Sequence, residues 1–297
     1  MVKEFFMSKI MILTDSCCDL PKEVIEELGI RVLPILIHIN GQSYREIFDK
    51  STKEIYELMM STDEIPKHSQ VSPQDFLDAY QEIYKEGYTD VITVSLNSKG
   101  SGTYNSSLIA KNDFYENNPE AKEKMNIYNL DSTCYSGFYG YPITEAVKKI
   151  RKGADAQEIV AYLQDWFNVS VVYAVPYNLK YARKSGRISA AAAFAGELLG
   201  LKPIILFEDG ETSTVEKIRG EKNILPKLVD CVERNMTPQT PYVILHGRDD
   251  SLAKEVEKEL CKKTGRKAEM FLNIGAAVAS NIGPDVVAVV CRKKNKQ

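Results

Sequence analysis

The sequence is short of histidine, with three in 297 residues, and it has a single tryptophan. Its six cysteines never fall in a Cys-x-x-Cys pair. A zinc signature is therefore missing, and the thiols read as reduced, as expected of a cytoplasmic protein. Three histidines leave little material for histidine-based acid–base catalysis, and neither a Gly-x-Ser-x-Gly elbow nor a His-Glu-x-x-His pair occurs. No run approaches the ~20 uninterrupted apolar residues of a membrane span. The longest candidate, 188–207, is broken by Glu197, Gly200, Lys202 and Pro203. Neither sign of charge prevails: Lys and Arg number 38, Asp and Glu 41, a formal net of −3. That balance offers no basic footprint for DNA or RNA, and Arg292-Lys293-Lys294 reads as a short solvated end. Residues 1–16 lack the apolar core of a secretory signal. Residues 1–8 read as a leader, with Met7 an alternative start.

What is present is ordinary globular material, 44% apolar and 27% charged. At roughly 150 residues per domain, the length favours about two domains. The first half alternates strand and helix signals. Residues 9–13 (KIMIL) predict a buried strand, and Pro21 and Gly29 bracket a helix. Residues 31–39 (RVLPILIHI) predict a second strand, with Pro34 marking an edge or bulge. Ser51 and Glu54 spell a capping box, and Ser72-Pro73 opens another helix that ends at Gly87. Strands are predicted at 91–95 and 127–130, and helices from about 103, over 137–151 and over 155–167. This alternation argues for a parallel sheet covered by helices. In the second half the rhythm changes. Strands at 204–207 and 212–218 flank the turn Glu208-Asp209-Gly210. Further strands fall at 170–175, 242–246, 267–272 and 286–291, with helices near 221–234 and 251–264. The reading is an N-terminal parallel-sheet α/β domain (1–167) plus a C-terminal α+β domain (168–297), with a ligand between them.

Parallel sheets bind ligands beyond the carboxyl ends of their strands. Thr14-Asp15-Ser16, the segment 95–103 and Asp131-Ser132 all fall at such ends. Ser98-Lys99-Gly100-Ser101-Gly102-Thr103 is either an anion-binding turn at a helix N-terminus or an ordinary cap. Residues 66–72 form a polar loop in which His68 and Ser69 are donors, or merely a surface connection. Residues 180–189 put Arg183, Lys184 and Arg187 in one loop, facing an anion, a partner or solvent; the 190–201 stretch after it is rich in Ala and Gly. Residues 275–284 predict a short helix running into the last strand. Asp15 and Asp131 are candidate catalytic carboxylates, or turn caps.

Taken together, several short pieces lie in one order over nearly the whole chain: Thr14-Asp15-Ser16 with Asp19-Leu20-Pro21, Ser69-Gln70, Ser101-Gly102-Thr103-Tyr104, Asp131-Ser132, Gly186-Arg187-Ile188, Lys202-Pro203-Ile204 with Asp209-Gly210, Lys217-Ile218-Arg219 and Gly283-Pro284. This set resembles the DegV family of fatty-acid-binding proteins. The resemblance implies a long-chain fatty acid such as palmitate or stearate, its tail buried and its carboxyl group near the cleft between domains. It implies no cofactor, no metal and no stable membrane insertion. It also implies a possible partner, a separate fatty acid kinase subunit that uses the presented acid for phospholipid synthesis. Residue by residue, Ser101 matches the serine that holds the carboxylate. Thr103, Ser69 and His68 assist, and Arg187 and Asn281 lie close by. His68 stands where the family usually has threonine, and Asn281 where many members have histidine. Ser185 and Asp285 replace usual glycines. Two rivals remain from other classes. One is a small hydrolase or phosphotransferase using Asp15 and Asp131 around the Ser101 loop; the other is an interaction protein using the Arg183–Arg187 loop.

Overall fold

The structure is a computed structural model and describes residues 8–189 and 200–294. One sheet contains β1 (Ile10–Asp15), β2 (Arg31–Leu33), β6 (Asp90–Ser95) and β7 (Asn126–Asp131). Its order is β2-β1-β6-β7, with every pairing parallel. Strand β6 is buried along its whole length, which is why DVITVS shows no polar alternation. Helices α1 (Lys22–Leu28), α3 (Pro73–Lys85), α4 (Thr103–Asn117), α5 (Gly137–Arg151) and α6 (Ala156–Val169) make the connections. Gly29 closes α1 at φ 70°. The Ser51–Glu54 box caps α2 (Thr52–Met60) and a Ser72–Asp75 box caps α3.

The second sheet has six strands: β8 (Ser170–Pro176), β9 (Leu201–Glu208), β10 (Glu211–Arg219), β11 (Tyr242–His246), β12 (Met270–Asn273) and β13 (Val286–Arg292). Its order is β10-β9-β8-β13-β11-β12. Only β11 and β12 run parallel. Asp209 and Gly210 both take left-handed φ, 52° and 78°, the two-residue hairpin turn that the sequence announces. One face of this sheet packs under α8 (Ile224–Asn235) and α9 (Ser251–Thr264) in a core of its own, with Val171, Tyr173, Val287 and Val289. The other face, with Val172, Ala174, Leu245 and Ala288, joins the core of the parallel sheet. Helix α5 lies between the sheets, touching β1 on one side and β8 and β11 on the other.

Three expectations need correction. Residues 31–39 are not one strand: the chain leaves the parallel sheet after Leu33, and β3 (Leu36–Ile39) belongs to another sheet. Pro34 has no N–H to continue the ladder. That third sheet, order β4-β3-β5 with β4 (Gln42–Arg45) and β5 (Lys67–Ser69), was not legible, and β5 replaces part of the expected 66–72 loop. The cationic loop is largely helix α7 (Leu179–Ser185), closed by Gly186 at φ 67°. Arg183 and Lys184 therefore sit in its last turn, where cations oppose the helix dipole favourably. The Ala- and Gly-rich stretch 190–199 and the leader residues 1–7 lie outside the described residues. Helix α10 (Ala276–Ile282) runs toward β13 as expected.

Gly140 brings α5 against the turn after β1: a Cβ there would stand 2.3 Å from the Cys18 carbonyl oxygen. A backbone atom cannot yield as a side-chain tip does. Gly140→Ala is therefore expected to lower unfolding free energy by about 1–3 kcal/mol, as read from denaturant titration.

Candidate functional site

Three turns leave the carboxyl ends of the parallel strands and converge on one cavity. The buried carboxylate of Asp15 fixes the first two. Its Oδ1 accepts from Cys17 N at 3.1 Å and from the Tyr139 hydroxyl at 2.6 Å, and its Oδ2 accepts from Leu96 N at 2.9 Å. Burial dominates over these bonds and pushes its carboxyl up to about 6. Asp131 fixes the third turn, accepting from Ser98 N at 3.1 Å and Thr133 N at 2.8 Å. Both carboxylates are thus occupied with backbone donors, and neither lines the cavity. The arrangement does not support the hydrolase reading, which needs one of them within reach of a substrate.

The cavity runs between these turns and the inner face of the six-stranded sheet. Cys17, Leu96, Ser101 and Tyr135 come from the turns, and Val172, Ala174, Leu245 and Ala288 from the sheet. Asn281 and Ile282 come from α10, and Arg187 and Ile188 from the segment after α7. Measured by where the centre of a water molecule can sit, its volume is about 70 Å³. A single water needs roughly 10–15 Å³ by that measure. Burial pushes the Cys17 and Cys134 thiols up, Cys134 to about 12. They present neutral S–H groups, which behave as small hydrophobes.

Polar groups gather at the mouth. Ser101 Oγ lies 3.0 Å from Thr103 Oγ1 and accepts from Thr103 N at 3.3 Å. Gly102, at the start of α4, offers no side-chain cap. His68 Nδ1 lies 3.2 Å from Ser280 Oγ. Burial, then the Arg187 charge and His38, hold its imidazole below the ordinary histidine range. Arg187 donates to the Ser185 carbonyl at 2.8 Å, and the Asn281 amide donates to Ala277 O at 2.7 Å. Glu46 docks α10 onto the β1 turn, accepting from Ala277 N at 2.8 Å and from Ser16 Oγ at 2.7 Å. Across the mouth, Lys99 Nζ donates to Asp209 O at 3.1 Å and Glu211 Oε1 at 2.7 Å, tying the Ser101 turn to the β9–β10 hairpin.

Of the six residues expected at a ligand, Ser101, His68, Arg187 and Asn281 line the cavity, whereas Ser69 and Thr103 do not. Ser69 Oγ bonds outward to His38 Nε2 at 2.7 Å, because alternate residues of β5 face opposite ways. Thr103 is wholly buried behind Ser101. Sequence reasoning missed Tyr135 and Glu46. Tyr135 follows the recognised Asp131-Ser132 strand end by three residues, a usable signal; Glu46, beside the unrecognised β4, gave none.

The cavity between the two sheets is mostly apolar, and a hydroxyl, an amide, an imidazole and a guanidinium, from Ser101, Asn281, His68 and Arg187, also line it. Among the described residues no group of three or more His, Cys, Asp or Glu can hold a metal ion, and no helix is long and apolar enough to cross a membrane. The sequence profile of the DegV family, a family of uncharacterised proteins, matches residues 9–294, and the chain belongs to that family. A DegV domain-containing protein of Clostridium acetobutylicum is 29% identical, over 95% of this chain and 98% of its own. A DegV family protein from Thermus thermophilus, solved for its fatty acid binding, superposes with a TM-score of 0.84 at 25% identity, covering 96% of this chain and 100% of its own. A fatty-acid-binding DegV protein from Streptococcus agalactiae gives 0.83 at 27%, covering 97% and 100%.

His68 is expected to be neutral at pH 7. The unfolded chain binds its proton near the ordinary value, the folded chain only at lower pH. Stability therefore rises with pH across that interval and falls on acidification below about 6.5. His68→Gln should flatten this part of the pH–stability curve, as measured by urea unfolding between pH 5 and 7.

Proposed function

We propose that this protein binds a long-chain fatty acid. The tail lies in the slot between the sheets, and the carboxylate is held at Ser101 with Arg187, His68 and Asn281 around it. The observation that carries this reading is the continuity of the Ser101 turn with an apolar cavity floored by the six-stranded sheet. The fatty acid binding named for the solved relatives supports it.

The energetics divide the work between tail and head. About 14 methylenes at ~0.8 kcal/mol each supply roughly 11 kcal/mol, against an association cost of about 4–15 kcal/mol. A carboxylate leaving water costs several kcal/mol unless it is paired. Donors worth ~1.5–3 kcal/mol each offset that loss and fix which end faces out. Within this proposal the protein is a cytoplasmic carrier that does no chemistry itself. It presents the acid head to a separate kinase subunit that feeds phospholipid synthesis. The division into domains 1–167 and 168–297 belongs to the same proposal: α6 ends at Val169, and β8 opens the second sheet at Ser170.

Native mass spectrometry of the protein purified without added lipid should show a mass increment matching an acid of about 16–18 carbons, and the delipidated protein should rebind it. Ser101→Ala should weaken rebinding roughly ten- to hundredfold, the loss of one charge-assisted bond. Protein that neither carries nor rebinds an acid contradicts the proposal.

A further inference from the structure

The six-stranded sheet departs from its own pattern at one place. Central buried strands favour β-branched and large aliphatic residues. The row that crosses this sheet on its inner face reads Ile205, Ala174, Ala288, Leu245, Leu272, each paired with the next across β9, β8, β13, β11 and β12. The two alanines are direct partners on the central strands, and large side chains flank them on both sides. Two residues along the same face, Val172 pairs with Val290 and Val286 with Pro176. The opposite face carries Tyr173, Val175, Val287 and Val289 at the neighbouring positions, so the small residues are confined to the inner side. Ala174 and Ala288 are 1% and 4% exposed and both line the cavity, with Val172, Val286 and Leu245 beside them.

From this we infer that the Ala174–Ala288 pair determines which tails the protein accepts. Two adjacent alanines make a trough in an otherwise full sheet face. Side chains directly opposite in an antiparallel pair have Cβ atoms about 4.5–5.5 Å apart, so added bulk on either strand fills the same trough. Any tail long enough to reach the pair must pass over it, whereas a shorter tail does not meet it. This inference rests on the fatty acid reading and adds to it the element that selects tail length. The signal is present in the sequence as the single alanine inside each of two apolar runs, SVVYAVP and VVAVVCR.

The test uses the full-length protein, delipidated, and saturated acids of about 10–18 carbons that compete with a fluorescent acyl probe. Ala288→Val and Ala174→Val each add two carbons to the trough. At about fourfold in affinity per methylene, the longest acids should lose roughly fourteenfold (~0.8 kcal/mol per methylene, 1.4 kcal/mol per tenfold). The shortest acids should stay within about twofold. Ala288→Gly, which removes bulk, should shift the preferred length upward and serves where a valine variant fails to fold by thermal unfolding. An equal loss at every length, or an unchanged length profile in all three variants, overturns the inference and leaves fatty acid binding standing. A wild-type protein that binds none of the acids overturns both.

Discussion

The buried carboxyl of Asp15 is the contact on which the site depends. It joins the end of β1, the end of β6 and the first turn of α5 through three donors. A buried backbone N–H without a partner costs about 1–3 kcal/mol, so two turns and a helix are locked in one arrangement by one side chain. Cys17, Leu96 and Ser101 hang from those turns and face the same cavity. An aspartate that resembles a catalytic base in the sequence is thus the brace behind the site, and its weakened acidity reflects burial more than function.

The second constraint is the contact between unlike surfaces. The end of a parallel sheet is made of turns, rich in backbone N–H groups and hydroxyls. The face of an antiparallel sheet is a continuous apolar layer. Where the two meet, one boundary is polar and the other is not, which suits a ligand with a head and a tail. The Lys99 bridge to the β9–β10 hairpin and the Glu46 bridge to α10 hold the two surfaces in register. The Ser101 turn supplies direction, and the sheet face supplies most of the attraction.

The regular elements were legible because local chemistry specified them. Residues 137–151, 242–246 and 251–264 form the expected helix, strand and helix, and the capping boxes and the Asp209-Gly210 turn stand where the sequence puts them. The small β4-β3-β5 sheet was not legible. Its strands are three or four residues long, and their pairing is set by distant contacts rather than by alternation. That failure carries into the site: a loop lets Ser69 and His68 both face a ligand, whereas strand β5 sends them to opposite sides. Thr103 misled for a related reason, because two residues separate a hydroxyl that lines the cavity before α4 from one buried in its first turn. The lone alanines of the cavity floor stand in the sequence, but an alanine in a strand announces room only once its cross-strand partner is known.

A crystal structure of the protein purified without added lipid tests the central claim most directly. The account predicts continuous, unbranched density that begins within hydrogen-bonding distance of Ser101 Oγ and passes over Ala174 and Ala288 between the two sheets. Lipid bound on another surface, or a slot between the sheets that holds only water in protein competent to rebind acid, contradicts it.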